Sequence, residues 1–401
     1  MHDVIVVGAG PGGSATAHFL AKQGVDVMLL DKAQFPREKT CGDGLTPRAL
    51  GVLQEMGILS ELTSSGQRIE HIELYGPSGK KIDLPIPSAD GALPYMLVLS
   101  RLILDERLHQ RALESGAQFH GGFHVGMIHT QEQYVIVEGT HNGRAMKAQG
   151  RIAVLAVGAN TRLLRDLGIL KTLPAVILAA RAYYSNVDAP ADRVQAHFAD
   201  VPLPGYGWLF PTPKGGANIG VGFWTHGHRR DRPATAAKAF HTFRQGQLLA
   251  HPLRHAERIS PLKGYPIRTD FKRAPTFGPR MLLVGEAAGL VSPLTGEGID
   301  FALESGRIAA AHLLDMFAVG DFSPAQHAAY DQRLRAHFQR LFHFLERIRN
   351  CYFNPLLLNR FLQVASRQDE LSSLLVNILL GHQDAADAVS AATLRKVLLG
   401  F

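Results

Sequence analysis

The sequence has only two cysteines, Cys41 and Cys351. Two cysteines build no disulfide framework, and a reduced, cytoplasmic setting is the simpler expectation. No Cys-x-x-Cys element and no His-Glu-x-x-His helix occurs among the 19 histidines, so no metal site is expected. Long hydrophobic runs are missing as well. The longest apolar stretch near the C-terminus, residues 371–380, falls well short of the roughly 20 residues that span a bilayer. The N-terminus lacks the basic flank and small-residue cleavage site of a signal peptide. Internal repeats and low-complexity tracts are absent, and charged residues make up 19% against 46% apolar, the balance of a chain with a large buried core. The net charge of +7 fits an acidic lipid surface, a phosphorylated substrate or neither, and no nucleic-acid partner is expected.

The pattern along the chain is that of an α/β protein. Residues 3–31 read as strand, glycine turn, helix and strand: an apolar run, Gly8-Ala9-Gly10-Pro11-Gly12-Gly13, a helical period over 14–22, and a second apolar run over 25–30. Residues 66–85 alternate around Pro77-Ser78-Gly79, which predicts an antiparallel hairpin outside the parallel sheet. A helix over 101–116 follows, with strands over 117–125 and 152–157. Residues 173–223 predict a second, β-rich sheet, 281–284 a further apolar strand, and the chain from Gly298 onward reads as helix. The first strand and the last glycine motif lie almost 300 residues apart, so the expected nucleotide domain is discontinuous: 1–65, 95–170 and 275–315. The antiparallel substrate domain, 66–94 and 171–274, is inserted into it, and 316–401 form a C-terminal helical region.

Gly8-x-Gly10-x-x-Gly13 between a strand and a helix is the pattern of a pyrophosphate-binding turn: a tight bend, backbone amides open to phosphate, and close helix–strand packing. Asp31 ends the second strand where a carboxylate can accept from a ribose hydroxyl, with Pro11 and Lys32 flanking these positions. A flavin rather than a nicotinamide dinucleotide is argued by the distant segment Gly285-Glu286-Ala287-Ala288-Gly289 and the following Thr295-Gly296-Glu297-Gly298-Ile299. An acid after a strand can hold ribityl hydroxyls, and a helix start at Gly296, Gly298 and Ile299 can offer its dipole to a reduced flavin.

At this point the sequence resembles the geranylgeranyl reductase family of flavoproteins, which share the p-hydroxybenzoate hydroxylase fold. The resemblance spans roughly residues 3–315. It is carried by Phe35-Pro36-Arg37-Glu38-Lys39-Thr40-Cys41-Gly42-Asp43-Gly44-Leu45-Thr46-Pro47-Arg48, by Leu203-Pro204-Gly205-Tyr206-Gly207-Trp208-Leu209-Phe210-Pro211, and by the segment 293–300. The first two are similar to those of bacterial menaquinone reductases, which saturate one isoprene unit of a quinone tail.

The resemblance implies FAD as cofactor and NADPH or another donor as the source of electrons. It also implies FAD contacts from Arg101, from the Val125 backbone near the adenine, and from Cys41, Gly42, Asp43 and Gly44 near the flavin ring. Tyr206, Trp208 and Phe210 would line the substrate cavity; alternate positions of one strand face one side, which suits an apolar prenyl chain. The implied activity is hydride transfer from reduced flavin to an isoprenoid double bond of a prenyl lipid. Cys41 and Tyr206 are candidate catalytic residues, and Cys41, Tyr206 and a trapped water are alternative proton sources. Cys41 read by itself is equally a small buried apolar side chain.

Two departures from the pattern stand out. Val157 occupies the position of an acid that related hydroxylases carry, which leaves the nicotinamide donor open, and Glu286 is one methylene longer than the usual aspartate. A monooxygenase or halogenase of the same fold is the enzymatic rival. Halogenases of this fold carry Trp-x-Trp-x-Ile-Pro where this chain has Tyr206-Gly207-Trp208-Leu209-Phe210-Pro211, and Lys80 or Lys81 could imitate the halogenase lysine. A non-catalytic flavin or prenyl-lipid carrier is the rival from another class. Between Arg333 and Arg349, arginines alternate with Leu334, Phe338, Leu341, Phe342, Leu345 and Ile348. That stripe either packs on the flavin domain or makes a peripheral contact with the inner face of a membrane.

Overall fold

The computed structural model describes residues 1–88, 93–225, 235–351 and 354–381. The expectations for 89–92, 226–234, 352–353 and 382–401, including the last part of the C-terminal helical region, lie outside the described residues.

The strand His2–Val7 is apolar through Val4, Ile5, Val6 and Val7 because both of its faces are covered, as a central parallel strand requires. It pairs in parallel with Val27–Asp31 on one side and with Arg144–Leu155 on the other. Gln118–Gly121 and Met281–Leu283 extend the parallel sheet at either end. The helices Pro11–Ala21 and Ile299–Val319 pack against each other closely enough for the Thr16 hydroxyl to reach the Gly306 carbonyl at 3.3 Å.

The expected strand over 152–157 proves to be the tail of Arg144–Leu155, a single long strand with two halves. Its first half is mostly exposed, with Ala148 buried, and pairs antiparallel with Val135–His141; from Ile152 it is continuously buried and lies in the parallel sheet. The expected strand over 117–125 is broken at Gly122 into Gln118–Gly121 and Phe123–Thr130.

The second sheet is almost wholly antiparallel. Its order runs Glu257–Arg258, Val176–Ser185, Gly216–Trp224, Gly205–Thr212, Arg193–His197, His71–Tyr75 and Lys81–Pro85, with Lys263–Arg268 also on Val176–Ser185. The hairpin expected over 66–85 is His71–Tyr75 with Lys81–Pro85. Gln67–Ile69 instead joins Met96–Val98 and Gly44–Leu45 in a separate three-stranded sheet.

The described residues from Ile299 onward are mostly helical: Ile299–Val319, Pro324–Cys351, Pro355–Ala365 and Asp369–Leu379. The amphipathic stripe of Pro324–Cys351 faces inward. Leu334, Phe338, Leu341, Phe342 and Leu345 are buried in the main core, with Phe342 edge-on to Phe271 at 5.1 Å and to Phe301 at 4.9 Å. Its apolar face is therefore occupied by protein, not by lipid. The last two helices cover the hairpin, where Asn359 Oδ1 accepts from the Ser78 amide at 3.2 Å and the Ser78 hydroxyl at 3.0 Å. Among the described residues, no helix is long and apolar enough to cross a membrane.

Candidate active site

The glycine turn joins His2–Val7 to the helix Pro11–Ala21. A Cβ on Gly8 would lie 2.4 Å from the Ala156 carbonyl oxygen, and one on Gly13 would lie 1.8 Å from that of Gly8, so the turn and helix close up only with glycine at both places. The first turn of this helix has no side-chain cap, which leaves its amides for an anion. Asp31 pins the turn: its carboxylate accepts from the Ala9 amide at 2.8 Å and the Ala33 amide at 2.8 Å.

From this turn a cleft runs between the two large sheets. Gly10 and Pro11 line one end, Cys41, Gly42 and Arg101 the wall, and Gly285, Glu286, Gly296, Gly298 and Ile299 the far side. Glycine motifs almost 300 residues apart in sequence thus meet across one cavity. Gly8, Gly13, Asp31, Lys32 and Val125 are not among the cleft's lining residues. Asp31 and Gly8 stand behind the turn, and Val125 sits on Phe123–Thr130 opposite Gly139, at a bulge.

The cleft's polar groups are held by a second layer that sequence reasoning missed. Arg101 is buried and forks onto Asp105 with two contacts of 2.7 Å, while Arg37 reaches the same carboxylate at 2.9 Å. Two arginines around one buried acid leave a surplus positive charge in the wall. Lys39 also lines the cleft; burial, and then Arg101, push its ammonium pKa down. Glu286 accepts from the Arg268 amide at 3.1 Å, and burial pushes its carboxyl up. The Glu286 Oε2 and the Lys39 Nζ lie 3.7 and 3.3 Å from where a Cβ on Gly158 would stand, so both side chains reach the loop that follows the strand Arg144–Leu155.

Asp43 anchors a buried network beneath the aromatic strand. Its carboxylate accepts from the Tyr183 hydroxyl and, at 2.8 Å, from Asn218 Nδ2; burial raises its pKa to about 6. Asn218 also donates to the Cys41 carbonyl at 2.8 Å and accepts from Trp208 Nε1 at 3.0 Å. The indole is thereby fixed by hydrogen bonding as well as by packing. Cys41 Sγ accepts from the Asp43 amide at 3.3 Å, and burial pushes the thiol pKa up, so it stands as a neutral thiol. Arg181, buried in the cleft wall, bonds Glu38 at 2.6 Å through Nη2, while Nε and Nη1 have no partner among the described residues.

Tyr206, Trp208 and Phe210 occupy one face of Gly205–Thr212, with ring centroids 6.0 and 6.3 Å apart in succession. With Cys41, Gly42, Asp43, Gly44, Trp224 and Glu297 they line a cavity beside the cleft. Tyr206, Phe210 and Glu297 also line a further cavity that is largely aliphatic, closed by Leu358, Phe361 and Leu362 of one C-terminal helix and Leu375 and Leu379 of the next. Tyr206 donates to the Thr295 carbonyl at 2.5 Å, and burial and then Glu297 raise its pKa further.

Among the functional side chains missed from sequence, Lys39 and Glu297 were in view within the quoted motifs. Asp105 carried the signal of an i,i+4 pair with Arg101, whereas Asn218, Tyr183 and Arg181 sit in ordinary strand sequence and gave none.

The uncapped helix start, the cationic wall, the unpartnered Arg181 nitrogens and the acid Glu286 fit an elongated dinucleotide with a ring at the aromatic end. The comparisons agree. A family model described as an FAD binding domain matches residues 1–344. A menaquinone reductase of Mycolicibacterium smegmatis is 35% identical over 400 residues, covering 94% of this chain and 91% of that protein. A crystal structure of a geranylgeranyl bacteriochlorophyll reductase-like protein from Thermoplasma acidophilum superposes with a TM-score of 0.84 at 25% identity, over 100% of this chain and 98% of the other. The flavin-dependent brominase Bmp2 superposes with a TM-score of 0.77 at 20% identity, over 95% of this chain and 94% of that one, a likeness of fold alone. With its glycine motifs joined across one cleft and the family model matched over most of its length, the chain belongs to the FAD-binding domain family.

Proposed function

We propose that the protein is an FAD-dependent reductase that saturates one or more isoprenoid C=C bonds of a prenyl lipid. The observation that carries this reading is the aromatic face of Gly205–Thr212, which one cavity joins to the cofactor cleft and which a second, aliphatic cavity continues between the sheet and the last helices. A wall of this kind offers a long apolar chain contact area and almost no hydrogen bonds. The relatives' names pair a quinone with a geranylgeranyl bacteriochlorophyll, two head groups that share a prenyl chain, which favours recognition of the tail.

In this reading the turn Gly8, Gly10, Pro11 and Gly13 holds the pyrophosphate through the Gly12 and Gly13 amides at the helix start, Asp31 and Lys32 hold the adenosine ribose, and the Val125 backbone the adenine side. Glu286 and Gly285 hold the ribityl chain, Arg101 and the residues 41–44 line the ring, and Gly296, Gly298 and Ile299 face its pyrimidine end. Bound FAD supplies a two-electron reductant at the ring. The protein supplies a dry pocket that excludes water and a wall that fixes the alkene against it. The division into a discontinuous cofactor domain, an inserted substrate domain and a C-terminal helical cover belongs to the same proposal, as does NADPH or another donor refilling the cofactor.

A peripheral membrane contact is part of the proposal too, at a different place from the 333–349 stripe. Leu356 and Leu357 are 77% and 48% exposed on the helix whose opposite face, through Leu358 and Leu362, closes the aliphatic cavity. Replacing both leucines with glutamate should abolish co-sedimentation with anionic liposomes while leaving bound FAD unchanged; equal sedimentation of the variant removes the contact from the reading.

The deciding experiment is anaerobic. Enzyme reduced with dithionite should be reoxidised by a geranylgeranyl lipid that has no quinone head, with no oxygen present, and the product should gain two hydrogens that fragmentation places in the prenyl tail. A halogenase or monooxygenase needs oxygen, and a carrier leaves the flavin reduced. Lys80 is exposed and Lys81 bridges Glu73 at 2.9 Å, so neither enters the cleft as a halogenase lysine would.

A further inference from the structure

The proposed reaction leaves a proton unassigned, and the cavities assign it. We propose that Glu297 is the acid that protonates one carbon of the isoprenoid double bond. This rests on the prenyl reductase reading given above.

Glu297 sits in the turn between the cofactor cleft and the long helix Ile299–Val319, and it lines both the aromatic cavity and the aliphatic one. The turn is rigid. The Ser292 amide donates to the Glu297 carbonyl at 2.7 Å, the Gly296 amide to the Ser292 carbonyl at 3.0 Å, and Ser292 Oγ accepts from the Thr295 amide at 3.1 Å. Tyr206 clamps the same turn through Thr295, which makes it a positioning residue, its own proton engaged at 2.5 Å.

Two carboxyls stand three residues apart here, Asp300 buried and Glu297 half-buried at the cavity wall, and in so apolar a place one charge disfavours the other. Burial raises the Asp300 pKa to about 6, and the Arg48 charge and the Thr46 hydroxyl at 3.3 Å partly offset that burial in favour of its anion. Glu297 faces chiefly apolar walls with Thr295 as a hydrogen-bonding neighbour, and among the described residues it makes no ion pair. Burial, and then the Asp300 charge, hold its carboxyl well above the ordinary range, which favours its protonated form. The titratable groups that face it are Asp300, Tyr206 and Cys41, with Arg48 and Glu304 beyond Asp300. Of these, Tyr206 and Cys41 are the weaker acids, both raised by burial.

The step balances. The alkene π pair forms a C–H bond with the Glu297 proton as the carboxyl O–H breaks, leaving a carboxylate that solvent later reprotonates. The other alkene carbon takes a hydrogen with both its electrons from the reduced cofactor, so the lipid is reduced by two electrons and the cofactor oxidised by two.

The test compares wild type with Glu297→Gln and Glu297→Asp as holoenzymes. Infrared spectra of the wild type should show a protonated carboxyl band near neutral pH that shifts in heavy water and is missing in E297Q; its absence from the wild type overturns the proposal. In anaerobic single turnover with a polyprenyl lipid, E297Q should keep FAD and accept electrons from dithionite, yet reoxidise about 10²–10⁴-fold more slowly, with E297D partly restored. Should E297Q fail to hold FAD, the infrared band and the pH profile of E297D decide, since a shortened acid still titrates. An E297Q as fast as wild type overturns this inference alone, whereas a wild type inert to every prenyl lipid overturns the proposed function and this inference with it.

Discussion

The two sides of the cleft are made of different material. The cofactor side is built chiefly of backbone: glycine turns, an uncapped helix start and a few side chains from short contiguous motifs. The substrate side is built of side chains, from the hairpin, from Arg193–His197 and Gly205–Thr212, and from two helices more than a hundred residues later. A backbone site tolerates almost no added atom. A side-chain site tolerates exchange of one apolar group for another at modest cost.

That contrast can be broken most sharply at Gly13. Gly13→Ala places a Cβ against the Gly8 carbonyl, and we expect loss of about 3 kcal/mol of stability and a purified protein without yellow colour, read by flavin absorbance and thermal unfolding. An alanine variant that keeps its FAD would show that the turn is less constrained than its geometry requires.

On the substrate side the expected effect is smaller and of another kind. Trp208→Phe keeps an aromatic wall but leaves the buried Asn218 Oδ1 without its donor, a cost of about 1–3 kcal/mol. FAD content should stay at the wild-type level while prenyl-lipid affinity falls, measured by flavin absorbance and by lipid titration.

Acid exposes both sides by one mechanism. His18, on the first helix, and His197, in the second sheet, are buried, and burial lowers each pKa from 6.5 to about 4. The unfolded chain therefore binds more protons between those values. Stability is fully present above pH 6.5 and lost as pH falls toward 4, with each histidine adding up to about 1.4 kcal/mol per pH unit to the slope. Glutamine at either position should flatten the acid limb of urea-unfolding stability, and a limb unchanged in both variants would refute the assignment. The smallest effect is expected at the hairpin tip: Lys80→Ala should change stability by less than about 0.5 kcal/mol and leave turnover intact.

Much of this protein was legible locally. Gly8, Gly10 and Gly13 with Asp31, the alternation around Pro77-Ser78-Gly79, and Tyr206, Trp208 and Phe210 at every second position each state their geometry within a few residues. The long strand Arg144–Leu155 was read only at its buried end, because its outer half is mostly exposed and its partner Val135–His141 carries no strong signal of its own. The arginine-rich stripe of 333–349 has the periodicity of a membrane-surface helix and of a packed one alike, and only the rings of Phe271 and Phe301 show which face is covered.

The sequence by itself determined the backbone half of the site, since a glycine turn, its helix and the acid at the end of the next strand are specified by local sterics and hydrogen bonding. Tertiary structure alone decided that Asp43, Tyr183 and Asn218 hold Trp208 in place, and that Arg48 and Thr46 stand beside Asp300 while burial and Asp300 push the Glu297 carboxyl up. The reason is physical: desolvation and charge coupling depend on which distant segments close over a group, and no window of neighbouring residues records that.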